Sequence, residues 1–286
     1  MANPADTGPA QAGPAAGAVG RLLVADVGNS RIKLAAVAVV EDGGTVGPLP
    51  VLVGRRDIDS RGFQPEGVTQ WLGQMAGGSA TVLVASVNDT AAARLEAVLT
   101  EFSVTRHRTL RQRRITAADL PLGVPLPQPQ RVGIDRLAAA AAAGVVKRPD
   151  RPAIVVNCGT AATVDLVGPD GTFLGGAILP GPTLLARALA EGTSRLPAVA
   201  LLEQGPPPAL PGRSTEEAIA AGIGWGIRGG IARLVAEARS AVGADADLIL
   251  TGGWSHAVRD DLPGAAELPD LVLAGIALAA PRSCGR

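Results

Sequence analysis

The sequence has 286 residues, of which 47% are hydrophobic and 18% are charged, so wholesale disorder is excluded and a sizeable buried core is expected. Acidic and basic side chains balance at 26 each, which leaves no overall positive field to hold nucleic acid or an anionic membrane surface. Two cysteines and two histidines exclude a disulfide framework and a histidine-rich metal site, and they favour the cytoplasm.

The N-terminal residues predict no signal peptide. Residues 1–20 are almost entirely Ala, Gly and Pro, a composition that predicts a disordered tail rather than a signal peptide. The longest apolar runs, at 137–146 and 271–280, are about half as long as the roughly 20 residues of a membrane-spanning helix. We therefore expect a cytoplasmic protein without a membrane or nucleic-acid partner.

The first half of the chain predicts an α/β unit. Its elements, in chain order within each type, are strands at 21–27, 32–40, 50–54 and 81–85, and helices at 67–75, 90–101 and 133–146. The basic run Arg106 to Arg114 is interpreted as a solvated edge, with a dimer contact or ligand steering as alternatives. Prolines between 119 and 130 predict an irregular connection.

The pattern restarts in the second half. It predicts strands at 153–156, 162–167, 172–178 and 247–250. It also predicts three helices: one that ends near residue 191, and two that cover 214–240 and 269–280. Ser214 and Glu217 have the spacing of a capping box at the start of the long helix. The sequence therefore predicts a duplication: a tail at 1–20, an N-terminal domain at 21–135 and a C-terminal domain at 136–286.

Two turns echo each other in the two halves, Asp26-Val27-Gly28-Asn29 and Asn157-Cys158-Gly159-Thr160. In each, a glycine follows a buried strand and lets backbone N–H groups approach an anion. Next to the first turn, Ser30 can donate to phosphate oxygens, and Asp26 can hold Mg²⁺. Either turn alone is better explained as an ordinary β-turn, whereas the pair predicts a nucleotide held between two domains.

A carboxylate and a guanidinium are adjacent in Gly133-Ile134-Asp135-Arg136, where a proline-rich loop becomes a helix. Asp135 could accept a proton from a hydroxyl group, and Arg136 could bind a carboxylate or phosphate. From the residues alone, the favoured interpretation is an Asp that complements the helix dipole beside a solvated Arg. Cys158 is predicted to be a small buried side chain rather than a nucleophile.

In this order, the motifs resemble those of the type III pantothenate kinases. They are Asp26-x-Gly-Asn, Gly133-x-Asp-Arg, Gly159-Thr160-x-x-Thr163-x-Asp165, Gly175-Gly176-x-Ile-x-Pro-Gly181, Ser214-Thr215-Glu216 and Thr251-Gly252-Gly253, spread over residues 21–281. The resemblance implies two ribonuclease-H-like domains of the acetate and sugar kinase/actin superfamily, arranged as a homodimer. It further implies phosphorylation of pantothenate by ATP, the first step of coenzyme A biosynthesis, with Mg²⁺ and a monovalent cation, K⁺ or NH₄⁺.

The resemblance also implies residue roles. Asp135 would be the proton acceptor, Asp26 would hold Mg²⁺, and Asn157 occupies the monovalent-cation position. The residues that would contact ATP are Asp26, Val27, Gly28, Asn29, Ser30, Arg31, Ile32, Lys33 and Thr160. The residues that would contact pantothenate are Gly133, Ile134, Asp135, Arg136 and Thr215, with Arg136 near the substrate carboxylate.

The sequence departs from the family pattern at three points, one of which is Ser86-Val87-Asn88-Asp89 in place of Ser-Val-x-Pro. Asn157 replaces the usual Asp and keeps an oxygen ligand without its charge, which predicts weaker cation binding. The chain has no tyrosine, although the family often has one before the Gly-x-Asp-Arg motif. Two alternatives stay open: a nucleotide-binding accessory or regulatory protein of the same fold, and a kinase for another small hydroxy acid.

Overall fold

The computed structural model describes residues 21–38, 48–200 and 209–280. The predicted tail at 1–20, the last two residues of the predicted second strand and part of the proline-rich loop after the fourth helix lie outside the described residues. Within those ranges, none of the helices has both the length and the apolar character needed to cross a membrane.

The first sheet has five strands in the order β3-β2-β1-β4-β5. Their bounds are β1 (Arg21–Val27), β2 (Arg31–Val37), β3 (Leu52–Asp59), β4 (Ser79–Ser86) and β5 (Thr109–Arg114). Neighbouring strands in the β1–β2–β3 group are antiparallel, whereas β4 and β5 are parallel to β1. The central strand β1 is covered on both faces, which explains why its sequence is almost continuously apolar.

The second sheet repeats this plan strand for strand, in the order β10-β9-β6-β7-β8. Its strands are β6 (Ala153–Cys158), β7 (Ala161–Val167), β8 (Phe173–Pro180), β9 (Asp247–Gly252) and β10 (Ala266–Glu267). The β6–β7–β8 group is antiparallel, and β9 and β10 are parallel to β6. The predicted α/β class and the duplicated ribonuclease-H-like architecture are therefore confirmed.

Four helices lie on the outer sides of the two sheets. They are α1 (Pro65–Met75), α2 (Asp89–Thr105), α4 (Pro182–Gly192) and α5 (Thr215–Val242). The Asn88 side chain caps α2 by accepting a hydrogen bond from the Ala91 amide at 3.1 Å. Ser214 caps α5 as predicted, but Glu217 accepts from the Arg213 amide and not from that of Ser214, so only half of the capping box forms.

Two helices, α3 (Ile134–Val146) and α6 (Leu271–Ala277), lie between the two sheets. One hydrophobic core joins them to buried residues of both sheets, including Val24, Leu83, Val155 and Phe173. Although α6 follows the second sheet in the chain, it packs on strands of the first. The division between domains at residue 135 therefore stays a prediction.

Two strands were not predicted, the two-residue β10 and the six-residue β5. Residues 109–114 form β5, which pairs with β4 at the edge of the first sheet, where the sequence had indicated only a solvated basic run. Two of its three arginines are paired: Arg114 with Asp89 and Glu96, and Arg113 with Asp119. The β5 segment lacks the alternation of apolar and polar residues that indicates a strand. It is held in place by backbone pairing with β4 rather than by a buried face.

The close approach of α3 and α6 depends on Gly275. A Cβ at this position would lie 1.9 Å from the Ala138 carbonyl oxygen of α3. Gly275→Ala should therefore lower the free energy of unfolding by about 1–3 kcal/mol, the usual cost of overpacking a core. Gly229→Ala is the control: Gly229 lies within α5, no neighbouring atom lies within 4 Å of its added Cβ, and alanine there should stabilise the helix slightly.

Chemical denaturation of the two variants and the wild type at one pH measures both effects. Equal stability of Gly275→Ala and wild type would show that the two helices separate at little cost.

Candidate functional site

The first candidate turn joins β1 to β2 and is held from two sides. The Gly28 amide donates to the Arg31 carbonyl across the turn at 3.0 Å. Ser60, buried at the end of β3, donates its hydroxyl to the Gly28 carbonyl at 2.8 Å and its amide to the Ser30 carbonyl at 3.0 Å. The turn is therefore fixed before any ligand arrives.

The second turn joins β6 to β7 at the equivalent place in the second sheet. Its Gly159 carbonyl accepts a hydrogen bond from the Trp254 indole at 2.7 Å, and its Thr160 carbonyl accepts from the Gly181 amide at 3.0 Å. Gly252, with φ of +103°, lies so close that a Cβ would meet the Cys158 backbone at 2.3 Å. Cys158 is buried, as predicted, and burial raises the pKa of its thiol to about 12.

The two turns meet. The Thr160 hydroxyl donates to the Ser30 hydroxyl at 2.8 Å, which joins residues 130 positions apart in the chain. Equivalent turns from the two halves therefore face each other, and we call the region around this contact the cleft.

Asp26 is the buried carboxylate of this cleft. It lies opposite Lys33 in the β1–β2 pair, and it is 8% exposed. Burial raises its pKa to about 6, Lys33 opposes this shift, and the carboxylates of Asp135 and Asp57 add to it. No hydrogen bond from the described residues stabilises its charged form.

Asp135 lies in the first turn of α3, and its Oδ1 accepts from the Arg136 amide at 2.9 Å. Its charge contributes to the raised pKa of both Asp26 and Asp165, after burial as the main cause in each case. Asp135 therefore lies near both sheets, beside the cleft where the two turns meet.

Arg136 is engaged differently from the sequence-based expectation of a solvated side chain. Its guanidinium forms an ion pair with Asp165 of β7 and lies over the Phe173 ring, 5.5 Å from the ring centroid. The pair is almost fully buried, with Asp165 only 2% exposed at its side chain. Burial raises the pKa of Asp165, although Arg136 and Thr163 act in the opposite direction.

The remaining predicted residues divide into three groups. The side chains of Val27 and Ile32 are in the hydrophobic core, so only their backbone can face a ligand. Arg31 is exposed and lies 3.9 Å from Asp57 of β3. Thr215 lies at the start of α5, at one end of an apolar cavity of about 600 Å³ between α4 and α5.

Asn157 occupies the place in β6 that Asp26 occupies in β1, one residue before the end of the strand. Its neighbours across the sheet are Thr163 and Thr251. The second sheet therefore has an amide side chain at the position where the first has a carboxylate.

Sequence reasoning missed two residues that shape the site, Ser60 and Trp254, and it assigned no role to Asp165, although that residue stands in one of the motifs. The signal for Asp165 was present, because Thr163 and Asp165 place two polar side chains on the same face of an otherwise apolar strand. The contacts of Ser60 and Trp254 to the two turns span 32 and 95 residues of sequence, and no local pattern announces them.

The described residues fit Mg²⁺ only together with a bound nucleotide. Within them, no group of three or more His, Cys, Asp or Glu side chains could hold a metal ion by itself. A single buried carboxylate without hydrogen-bond donors, such as Asp26, suits an ion that takes its other ligands from phosphates and water.

Comparison with known proteins gives a consistent result. Residues 22–237 match the family model of type III pantothenate kinase. Curated type III pantothenate kinases from Alkalilimnicola ehrlichii and Rhodopirellula baltica are 43% and 39% identical, over 54% and 67% of this chain. The matches cover 60% and 68% of those relatives, and for a Pseudomonas aeruginosa relative 61%, so the chain spans about three fifths of most of them.

A solved structure from Campylobacter jejuni, described as a conserved Baf family transcriptional activator, has a similar fold. It matches with a TM-score of 0.53 and 19% identity, over 90% of this chain and 96% of its own. At this identity the likeness supports the fold alone.

The raised pKa of Asp26 predicts a measurable effect on stability. Above pH 6 the folded protein carries a buried charge that the unfolded chain solvates easily, so ionisation of Asp26 destabilises the fold. Asp26→Asn should therefore be more stable than wild type at pH 7.5 without ligand, by roughly 1–3 kcal/mol. The difference should shrink as the pH falls from 7 towards 4, because Asp26 then becomes protonated in the folded state.

Urea denaturation of both proteins at pH 7.5 and pH 5 measures this difference. Asp170→Asn is the control of opposite sign, because hydrogen bonds from Thr172 lower the pKa of Asp170. A gap between Asp26→Asn and wild type that is the same at both pH values would contradict the buried ionised state of Asp26.

Proposed function

The chain belongs to the type III pantothenate kinase family, and on that premise we propose that it phosphorylates pantothenate with ATP. The product would be 4′-phosphopantothenate, in the first step of coenzyme A biosynthesis. The observation that carries the proposal is the position of Asp135, at the start of α3 and beside the cleft where the two turns meet.

The ATP phosphates would lie between the two turns. The Gly28 and Gly159 amides donate across their own turns, so the donors to the phosphates would be the other amides of the two turns and the hydroxyls of Ser30 and Thr160. The hydrogen bond between these two hydroxyls would break when phosphate oxygens replace it, and Lys33 would add a positive charge. Residues of both halves would thus hold one nucleotide. Such a site would align the ATP phosphates with the substrate, which is the main requirement of phosphoryl transfer.

Asp26 would hold Mg²⁺. When bound with ATP, the ion neutralises charge on the transferring phosphoryl group. Its arrival would also relieve the unfavourable burial of the Asp26 carboxylate, since a cation favours the charged form of a carboxyl group.

Asp135 would accept the proton of the pantothenate hydroxyl. As the proton moves to the carboxylate, the hydroxyl oxygen bonds to the γ-phosphorus, the bond to the bridging oxygen breaks, and ADP leaves. A carboxylate suits this task because it needs only to orient the hydroxyl and receive its proton late in the transfer.

Pantothenate would lie along the first turn of α3, against Gly133, Ile134 and Arg136. The hydrogen bonds to Asp165 use Nε and Nη2 of Arg136, and they leave Nη1 for the substrate carboxylate. Thr215 would reach the substrate from the start of α5.

We also propose a homodimer in the cytoplasm. The homodimer is supported by the apolar cavity between α4 and α5, whose lining of leucine and isoleucine suits a second copy of the chain.

Asn157 favours a second candidate, a nucleotide-binding accessory protein of the same fold without turnover. The two candidates differ in one assay, because both bind ATP and only the kinase releases ADP in response to pantothenate. A kinase for another small hydroxy acid would release ADP with that acid and not with pantothenate.

The test is ADP release by the purified full chain with ATP and Mg²⁺, with and without pantothenate. The kinase predicts pantothenate-dependent ADP release and a phosphorylated product detected by mass spectrometry, while light scattering of the same sample gives the oligomeric state. ATP binding by calorimetry without pantothenate-dependent turnover would favour the accessory protein instead.

Asp135→Asn should reduce kcat by at least about 100-fold, because the amide cannot accept the hydroxyl proton. ATP binding, measured by calorimetry, should stay within a few-fold of wild type, since the two turns are unchanged. The control is Asp89→Asn, an Asp in the first turn of α2. Retention of more than a tenth of the wild-type rate by Asp135→Asn would remove Asp135 from the reaction.

Asn157→Asp should increase the stimulation of ADP release by K⁺. A monovalent ion must shed water to bind between protein and phosphate oxygens, and a carboxylate repays this loss better than a neutral amide. Turnover measured against K⁺ concentration for both proteins tests the idea. Strong K⁺ stimulation of the wild type that Asn157→Asp leaves unchanged would show that position 157 does not bind the cation.

A further inference from the structure

We propose that Asp165 is a positioning residue that acts through Arg136 to hold the first turn of α3, and with it the Asp135 carboxylate, against the second sheet. The idea deepens the proposed kinase function and rests on it. Asp165 itself would touch neither ATP nor pantothenate.

Both oxygens of the Asp165 carboxylate are used within the protein. Oδ1 accepts hydrogen bonds from Nε of Arg136 at 3.0 Å and from its Nη2, while Oδ2 accepts from the Thr163 hydroxyl at 2.8 Å. A Cβ on Gly176 would lie 2.5 Å from Oδ1, so the neighbouring strand β8 closes the space around the carboxylate. Asp165 is therefore held in one position.

The guanidinium of Arg136 is confined in the same way. Its side chain is 14% exposed, and it lies between the carboxylate and the Phe173 ring. Because Asp135 precedes Arg136 and accepts its backbone amide, a shift of Arg136 would carry the Asp135 carboxylate with it.

The ion pair between Arg136 and Asp165 joins two parts of the molecule whose relative position the proposed reaction depends on. Asp165 belongs to β7, which continues from the second turn, whereas Asp135 begins the helix between the two sheets. A bidentate ion pair is directional, and an apolar contact of the same size would let the helix slide. The pair thus sets the distance between the proton acceptor and the second turn.

The test uses two substitutions of Thr163 that differ in one group. Thr163→Val removes the hydroxyl that holds Oδ2 and keeps the shape of the side chain, while Thr163→Ser keeps the hydroxyl. Asp165→Asn is the stronger variant, and Asp261→Asn is its control. Asp261 pairs with Arg228, whose side chain is buried to a similar extent, at 12% exposed.

We expect Asp165→Asn to lower kcat by about ten- to a hundredfold, the usual cost of misplacing a reacting group by about 1 Å. Thr163→Val should lower kcat by several-fold, and Thr163→Ser and Asp261→Asn should remain within twofold of wild type. KM for ATP should stay within twofold in all four variants, because the two turns keep their contacts.

Hydrogen exchange of the backbone amides supplies a readout that does not depend on activity. The amides at the start of α3, residues 134–138, should exchange faster in Thr163→Val than in Thr163→Ser, while α2 exchanges equally in both. This comparison remains decisive if the wild type proves inactive on pantothenate, and it separates failure of the inference from failure of the proposed function.

Two results would overturn the inference. One is a kcat within twofold of wild type for both Asp165→Asn and Thr163→Val, with unchanged exchange at the start of α3. The other is a general loss, in which KM for ATP rises together with the fall in kcat and exchange accelerates throughout the second sheet.

Discussion

The packing of α3 against α6 between the two sheets is the constraint on which the rest of the structure depends. The two backbones meet where Gly275 lies against Ala138, and the alanines of α3 leave room for both sheets to approach. Because α6 returns to the first sheet after the second is complete, the chain ties its two halves together twice. The equivalent turns face each other as a consequence, and the candidate site takes residues from both halves.

The two buried carboxylates near the turns, Asp26 and Asp165, are stabilised in different ways. Asp26 is buried without a donor, which costs stability in the free protein and suits a cation brought by the nucleotide. Asp165 is buried as well, but Arg136 and Thr163 satisfy it within the protein. One carboxylate is therefore prepared for a ligand, and the other fixes a neighbour.

The sequence contained much of the fold. The apolar strands, the turns after β1 and β6 and the helices α2, α3 and α5 were all predicted, because each has a local pattern of hydrophobic residues, glycine or caps. β5 was not predicted, because two of its arginines are stabilised by partners on other elements and its backbone is paired with β4. The two-residue strand β10 is too short for any pattern.

The parts of the candidate site that consist of short sequence motifs were predictable. The parts that depend on contacts between residues far apart in the sequence were not. The two turns and the segment from Gly133 to Arg136 have recognisable residues, and the structure brings them together. The partner of Arg136 was not predictable. Its guanidinium could have faced solvent, substrate or Asp165, and Asp165 lies on a strand that begins 25 residues later. Likewise, nothing near Gly159 in the sequence points to the indole of Trp254.

The central claim is that the two turns form one nucleotide site. Hydrogen exchange measured with and without a non-hydrolysable ATP analogue and Mg²⁺ tests it most directly. The account predicts that the analogue protects the amides of residues 27–31 and of residues 158–161 together, over the same range of concentration. Protection of one turn while the other exchanges as in the free protein would contradict it.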